Sequence, residues 1–343
     1  FLRCFLSLLK HWAKTMFNSR CLFIVCFILA SSYADAFIIP SRSALQRQNA
    51  PLSLLHQSSK LAASQTATDQ WELDVYSRPV VDSKGKKVWE LLITDSSGNF
   101  RHEEQIPSNM VNSREVRKRI EKVIEEAAVP PKTVRFFRNA MFNMINIALS
   151  ELEVNVIPSR TTYTLYDWLD QREKEVYPNM EGYTPSMKQP GFFDIRTPQK
   201  MPDALRGEQY AFVSLPVSYF RSGEIDESNI GVGKIFPLDP SLDDDAMIQG
   251  ILILSRRAKG LAAWLSGLEV AFLKADLQKR DVVVEAGIDV QYLMAKLNDE
   301  QRIEAQAFEK GKDALKGIHF VAVQKNAEDD EVEGFWLLRE AKM

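Results

Sequence analysis

Three carboxylates lie close together near the start of the folded part, where they could support metal-assisted chemistry. Glu72 and Asp74 belong to the apolar-rich run Trp71–Tyr76, and Glu90 belongs to the run Val88–Thr94. Both runs alternate apolar and polar residues, so we expect a hairpin with the three acids on its exposed face. Clustered carboxylates that hold two divalent cations can cleave a phosphodiester, which makes a metal-dependent nuclease one hypothesis. The charged outer face of an ordinary hairpin would produce the same pattern.

The other groups that a catalytic centre would need do not follow in the sequence. The strand predicted at Val154–Ile157 should complete a metal site, but it ends in Pro158-Ser159-Arg160 and carries no acid. The segment Gly231–Lys234 lacks the first glycine and the Ser or Thr of a phosphate-binding loop. His319 lies in an apolar strand, where a hydrogen-bonded core histidine is the common case. We therefore predict no catalytic residue, no metal site and no cofactor, and we expect a protein that is not an enzyme.

Basic and aromatic residues downstream of the hairpin are better suited to binding. The candidates are Arg135, Arg138, Arg160, Tyr163, Trp168 and Arg172. Arg135 and Arg138 are three apart on one face of a predicted helix. Guanidinium groups neutralise phosphates and aromatic rings stack on unpaired bases, as recognition of single-stranded RNA requires. The alternative is that this stripe belongs to the core and that the arginines pair with Glu151 or Asp167.

Composition limits the class of protein. The chain has 343 residues, enough for two domains, and its three cysteines all precede residue 30. The part from Asp69 onward therefore has no disulfide, thiolate nucleophile or cysteine-based zinc site. Seven of the 43 Lys and Arg and one of the 46 Asp and Glu precede Asp69, which leaves 36 basic against 45 acidic residues, a net charge of −9. Such a body does not attract nucleic acid by its overall field, so RNA binding would need a local patch.

The first 68 residues have the composition of a targeting sequence. We expect residues 1–15 to be upstream sequence, followed from Met16 by a basic region, the apolar run Cys21–Ala30 and an A-x-A site at Ala34–Ala36. That run is short for a transmembrane helix. Residues 37–68 begin with Phe and contain no acid, as in an organellar transit peptide. We predict a signal peptide over 1–36 and a transit peptide over 37–68, typical of algae with complex plastids. The alternative is a secreted protein with a flexible N-terminus.

The body is predicted to mix strands and helices in two domains, 69–190 and 191–343, on either side of a Pro- and Gly-rich linker within Tyr177–Pro202. Further strands are predicted at Asn99–Ile106, Tyr210–Pro216, Met247–Leu254, Asp281–Val284, Ile318–Val323 and Phe335–Leu338. Helices are predicted at Ser113–Ala128, Thr133–Leu152, Thr161–Val176, Leu261–Leu265, Val290–Leu297 and Gln301–Lys316. This predicts an α/β or α+β fold with mixed sheets. The two halves have a similar element order, which favours a distant duplication, and the first half also fits a ribonuclease-H-like order.

Several sequence blocks occur in an order that resembles a known family. They are WELDVYSRP with KKVWELL, RFFRNAM, VIPSRTTYTLYDWL with VYPNMEGY, PDALRGEQYAFVSLP, AAWLSGLE, and GIHFVAVQ with GFWLL. Over about Gln70 to Glu340 they resemble the TAB-type family of plastid and cyanobacterial RNA-binding translation factors. The segments Arg221–Asp245 and Lys274–Arg280 match nothing in that pattern.

The resemblance implies a function without catalysis. The expected partner is single-stranded, A/U-rich RNA in the leaders of plastid mRNAs, with the translation machinery or other translation factors as further partners. The expected role is translation or assembly of photosystem subunits, of photosystem I or also photosystem II. The resemblance and the leader together predict the plastid stroma. A protein scaffold for photosystem assembly, without direct RNA contact, remains an alternative beside the nuclease.

Overall fold

A computed structural model of the chain describes residues 67–185, 197–329 and 331–341. The predicted signal peptide lies outside the described residues, as do the predicted transit peptide, apart from its last two residues, and part of the predicted linker. Among the helices that the structure describes, none is long and apolar enough to cross a membrane.

The first sheet is built on the hairpin that the two apolar-rich runs predict. β1 (Gln70–Val81) pairs antiparallel with β2 (Lys87–Asp95), which pairs antiparallel with β3 (Arg101–Ile106). On its other side β1 pairs in parallel with β4 (Thr133–Phe136), which pairs in parallel with β5 (Asn155–Pro158). The strand order is β3-β2-β1-β4-β5. The carboxyl ends of β1, β4 and β5 therefore point to the same edge of the sheet.

Helices cover both faces of this sheet. α1 (Ser113–Glu126) and α2 (Phe142–Leu149) pack on the face that carries Trp71, Leu73 and Val75. α1 begins where predicted, because the Asn112 side chain accepts a hydrogen bond from the Glu115 N–H at 3.1 Å. α3 (Tyr163–Gln171) covers the opposite face, where Leu165, Trp168 and Leu169 pack against Leu92.

The predicted helix Thr133–Leu152 is wrong over its first nine residues. Residues 133–136 form β4, a turn follows at Asn139–Met141, and only 142–149 are helical. Val134 and Phe136 are completely buried in the interior of the sheet. The four residues of β4 alternate polar and apolar, but so short an alternation is hard to separate from the 3.6-residue apolar spacing of the predicted helix. Arg135 and Arg138 are consequently not neighbours on a helix face.

The second half contains two sheets. The strands of the larger sheet are β7 (Gln209–Pro216), β9 (Met247–Leu254), β13 (Ile318–Gln324), β14 (Gly334–Arg339) and β8 (Val232–Lys234), in that order. The smaller sheet has the order β10 (Val270–Asp276), β11 (Asp281–Ala286), β12 (Val290–Lys296) and β6 (Gln199–Lys200). The helices are α4 (Val217–Arg221), α5 (Ala258–Gly267) and α6 (Asp299–Ala314). One apolar core joins both sheets with α5 and α6.

Two segments of the second half differ from expectation. The predicted helix Val290–Leu297 is strand β12, which is half-buried along most of its length and so lacks clear alternation. Strand β10 was not predicted. His319 agrees with expectation: its Nε2 accepts the Leu273 N–H at 2.8 Å, and burial lowers its pKa to about 3.

The mixed sheets and their covering helices confirm the α/β class. The predicted duplication gains no support from strand order, since the described strands of the first half form one sheet and those of the second half form two. The ribonuclease-H-like comparison stays a prediction.

Candidate functional site

The three carboxylates of the nuclease hypothesis share one face of the β1–β2 hairpin, but that face is not exposed. Glu72, Asp74 and Glu90 are 5%, 0% and 2% exposed. α3 and the residues that follow it cover them. The expectation of an exposed acidic face is therefore wrong, because a sequence that alternates correctly does not show what packs on its polar side.

Asp74 is held by two arginines. Arg138 donates from Nε and Nη2 to the two carboxylate oxygens at 2.8 and 2.9 Å, and Arg78 donates from Nη1 at 3.1 Å. Burial raises the pKa of Asp74, but the guanidinium groups of Arg138 and Arg78 outweigh it, so the pKa lies below its usual range. Asp74 is therefore a buried anion with its charge compensated.

Glu90 is compensated in the same way. It accepts hydrogen bonds from Arg78 Nε at 2.9 Å, Arg172 Nη2 at 2.9 Å and the Tyr177 hydroxyl at 2.7 Å. Arg172 also pairs with Glu103. The face thus balances the carboxylates of Asp74, Glu90 and Glu103 with the guanidinium groups of Arg78, Arg138 and Arg172.

Glu72 differs from the other two acids because no arginine among the described residues pairs with it. Its Oε2 accepts the Leu165 N–H at 2.7 Å, in the first turn of α3. Burial raises its pKa to about 8, so the carboxyl is mostly protonated at neutral pH.

A divalent cation has no ready site on this face, since it would have to displace arginines from two carboxylates. In the part of the chain that the structure describes, no group of three or more metal-ligating side chains comes together. The geometry gives the nuclease hypothesis no support.

Two of the six predicted binding residues are buried, and a third, Tyr163, is half-buried. Trp168 and Arg172 are each 6% exposed. The Tyr163 ring lies 4.9 Å from the Phe236 ring, and its hydroxyl accepts the Arg339 N–H at 3.3 Å. As placed, Trp168 and Arg172 offer a base little free surface, and the ring and hydroxyl of Tyr163 already contact the second half.

Arg135 lies where the two halves meet. Its Nη1 donates to Gln70 at 2.8 Å, and its Nη2 donates to Glu269 at 3.2 Å. The Ser159 hydroxyl donates to the same glutamate at 3.2 Å. The charge of Arg135 is thus neutralised across the boundary between the halves.

Arg138 and Arg160 come together at the carboxyl edge of the first sheet. Arg138 lies two residues after β4 and Arg160 two residues after β5, and the last residues of these strands, Phe136 and Pro158, are paired partners. Burial raises the pKa of the Tyr166 hydroxyl, and the charges of Arg160 and Arg138 both oppose that rise. Both guanidinium groups therefore lie at one edge of the sheet, within electrostatic range of Tyr166.

Each of the two arginines is stacked on an aromatic ring and anchored by an acid. The Arg138 guanidinium lies 3.9 Å from the Tyr76 ring centroid, and the Arg160 guanidinium lies 4.9 Å from that of Phe272. Arg160 donates from Nη2 to Glu285 at 2.8 Å and from Nε to the Gly287 carbonyl at 3.1 Å.

One edge of each guanidinium remains available. The Arg138 and Arg160 side chains are 18% and 19% exposed. Among the described residues, Nη1 of neither arginine has a hydrogen-bond partner, and neither Nη1 is a buried atom. A fixed guanidinium with a free edge can donate to a phosphate or a base carbonyl. Ligands of open α/β sheets commonly bind at the carboxyl ends of parallel strands, which is where this pair lies.

Sequence reasoning missed the two rings beneath the arginines. The period-2 alternation of β1 puts Tyr76 on the face of Asp74, and that alternation is the signal that could have linked the ring to a cation. Phe272 had no such signal, because it lies in the strand that was not predicted and meets Arg160 from a distant part of the chain.

Two family models match the chain. The model described as RNA-binding protein Tab2/Atab2 N terminal matches residues 70–172. The model described as RNA-binding protein Tab2/Atab2, C-terminal domain, matches residues 188–339.

Two curated relatives are similar over most of the chain. Protein TAB2 homolog, chloroplastic, from Arabidopsis thaliana is 36% identical over 277 residues, covering 78% of this chain and 74% of the relative. The protein of the same name from Zea mays is 36% identical over 277 residues, covering 78% and 71%. A solved simian T-cell lymphotropic virus intasome bound to PP2A regulatory subunit B56 gamma covers 67% of this chain and 79% of its own at 9% identity, but its TM-score of 0.29 assigns no fold.

Proposed function

Because the chain belongs to the Tab2/Atab2-like family of RNA-binding proteins, we propose that it is a plastid protein that binds single-stranded RNA. The family models together span most of residues 70–339, which confirms the resemblance drawn from the sequence blocks. The names of both relatives describe them as chloroplastic.

The proposal extends to a target and a role. The target is an A/U-rich leader of a plastid mRNA in the stroma. The role is to promote translation or assembly of photosystem I subunits, with photosystem II as a further candidate, alongside the translation machinery and without catalysis. The resemblance of the sequence blocks supports these finer parts.

The observation that carries RNA binding is the exposed edge formed by Arg138 and Arg160. Both guanidinium groups are fixed by a carboxylate and an aromatic ring, and each keeps one nitrogen for a ligand. Such side chains lose little conformational entropy when they bind. Most of the free energy of each new hydrogen bond therefore contributes to affinity. The other predicted contacts, Arg135, Tyr163, Trp168 and Arg172, stabilise the fold in this proposal and do not contact RNA.

The test replaces both arginines by lysine in the full chain. Arg138→Lys with Arg160→Lys keeps the positive charge beside Asp74 and Glu285 but removes the planar fork and weakens the ring stacking. We expect affinity for an A/U-rich single strand to fall roughly tenfold, with the fold retained. Binding is measured by fluorescence anisotropy, and the fold by circular dichroism and the melting temperature.

The matched control is Arg172→Lys. Arg172 also pairs with a buried carboxylate and lies 5.2 Å from a tyrosine ring, but it is buried. We expect it to lower the melting temperature without changing the affinity of the folded protein. Equal binding by the wild type and the double variant would refute the edge as the contact.

Two further measurements separate the rival functions. If RNA stays intact during incubation with the protein and Mg²⁺ or Mn²⁺, the nuclease hypothesis is excluded. Direct ultraviolet crosslinking of plastid RNA to the protein distinguishes RNA binding from a scaffold that meets RNA only through partners.

A further inference from the structure

The tip of the β1–β2 hairpin is an ordered turn that presents three lysines. The Gly85 N–H donates to the Asp82 carbonyl at 2.9 Å, and the Asp82 N–H donates to the Lys86 carbonyl at 2.8 Å. Gly85 has a φ of +71°, as expected of the left-handed residue that closes a three-residue hairpin loop. The Asp82 carboxylate accepts the N–H groups of Lys84 and Lys86 at 2.9 and 2.8 Å. The lysines therefore project from a defined backbone.

The lysine charges at this tip are offset only in part, by the nearby carboxylate of Asp82, whose pKa the charges of Lys84 and Lys86 help to lower. Lys84, Lys86 and Lys87 are exposed, and none of them forms an ion pair with another described residue. Asp82 is the one acid in the turn, and its oxygens face backbone N–H groups. Lysines elsewhere in the first half differ, since Lys118, Lys122 and Lys132 each lie within 4 Å of a carboxylate.

The tip lies at the same edge of the sheet as the arginine pair. β1 runs toward the tip from Tyr76, the ring beneath Arg138, to Val81, and β4 and β5 end at that edge. β3 pairs with β2 only from Trp89 onward, so the tip projects beyond its neighbour. Five residues of strand span at most about 17 Å, a distance that a single nucleic-acid strand of several nucleotides covers.

We propose that Lys84, Lys86 and Lys87 form a second contact for the same RNA and bind its phosphate backbone. The proposal rests on the proposed function, and it assigns a different kind of RNA contact to the arginines and to the lysines. The stacked arginines hold bases or individual phosphates at the fixed edge. The lysines neutralise successive phosphates of the strand that leaves this edge.

The chemistry of the tip favours phosphates over bases. A lysine ammonium is a compact point charge without a planar face, and the turn from Asp82 to Lys87 contains no aromatic residue on which a base could stack. Its contribution should therefore be electrostatic, independent of base sequence and sensitive to salt. The residues from Asp69 onward carry a net charge of −9, so a local basic patch of this kind gives RNA a favourable place to approach.

The experiment measures the salt dependence of RNA affinity in the full chain. Each phosphate neutralised in a single strand contributes about 0.7 to the slope of log K against log salt. The triple variant Lys84→Gln, Lys86→Gln and Lys87→Gln should therefore lower that slope by about 2, equally for A/U-rich and G/C-rich strands. The control variant Lys118→Gln, Lys122→Gln and Lys132→Gln removes the same charge from side chains that are 63%, 73% and 82% exposed. We expect the control to keep the wild-type slope.

The outcomes separate this inference from the proposed function. Wild-type slope and affinity in the tip variant, together with weaker binding by Arg138→Lys with Arg160→Lys, would overturn the lysine contact and leave RNA binding in place. An equal loss of slope in both lysine variants would also overturn it, because the effect would then be one of net charge. A wild-type chain that binds no RNA overturns both proposals.

Discussion

The body and the tip of the β1–β2 hairpin carry charge in opposite ways. In the body, Asp74 and Glu90 are buried, and Arg78 donates to both at 3.1 and 2.9 Å. At the tip, the turn residues Lys84 and Lys86 and the first residue of β2, Lys87, are exposed and form no ion pair with a described side chain. The body therefore uses its charges to fix the fold, whereas the tip leaves its charges available to a ligand.

The difference follows from the cost of removing charge from water. A buried ion is tolerated only when an opposite charge and hydrogen bonds compensate it, so the body requires matched arginines and carboxylates. An exposed lysine has no such requirement and gains little from a surface partner. Arg138 lies between these cases, because it compensates Asp74 and still exposes one edge.

The largest effect on the free energy of unfolding is expected among the buried charges that pack on the body of the hairpin. Arg172→Ala removes a guanidinium that is 6% exposed and leaves Glu90 with one arginine fewer in a buried site. Breaking one partner of a buried pair typically costs about 3–5 kcal/mol, and we expect the free energy of unfolding to fall by that order. Chemical denaturation measures the loss.

The control for Arg172 is an exposed pair on the same helical segment. Lys174 and Asp170 are 70% and 62% exposed, so Lys174→Ala should change the free energy of unfolding by less than about 1 kcal/mol. A loss from Arg172→Ala no larger than that of Lys174→Ala would remove the distinction between body and tip.

The pH dependence of stability tests the burial of Glu72 on the same face of the hairpin. Its pKa is raised to about 8 in the folded state, so between about pH 4.5 and 8 the folded protein binds more protons than the unfolded chain. The stability that Glu72 contributes is therefore present at low pH and is lost as pH rises through 8. From pH 6 to 7.5 the expected loss is about 2 kcal/mol.

Glu72→Gln isolates this effect. The amide keeps an oxygen for the Leu165 N–H but cannot ionise, so the variant should be more stable than the wild type at pH 7.5 and nearly equal at pH 5. His319, whose pKa burial lowers to about 3, changes stability with pH in the opposite direction and cancels in the comparison. Parallel pH profiles for the two proteins would mean that Glu72 is ionised in the folded state.

Much of the fold could be predicted, because several elements have simple periodicities of polar and apolar residues. The alternation of Trp71, Leu73 and Val75 predicts β1, and Asn112 before a 3.6-residue pattern predicts α1. β4 could not be identified in this way, since its four alternating residues are too few to distinguish a strand from one turn of a helix. β12 is half-buried throughout and gave the same ambiguity.

The candidate site was predictable in residue type but not in geometry. The sequence pointed to Arg138 and Arg160 as cations, yet their acidic anchors lie 64 and 125 positions away along the chain. Which arginines stay exposed depends on how α3 and the second half pack, and local pattern does not encode that packing. Arg172 and Arg138 have the same residue type and similar partners, and burial alone separates their roles.

The smallest expected effect tests whether the tip acts through charge or through turn shape. Gly85 has a φ of +71°, and a Cβ at this position would meet no atom within 4 Å. Gly85→Ala should therefore cost only the strain of a left-handed alanine, about 1 kcal/mol of unfolding free energy. The three lysines remain, so the salt slope of RNA binding should stay at the wild-type value. Gly182→Ala is the contrasting variant, since its Cβ would lie 2.1 Å from the Val81 carbonyl oxygen and displace the end of β1. If Gly85→Ala weakened RNA binding as much as removing the three lysines does, the tip would depend on the turn's shape and the purely electrostatic contact would be refuted.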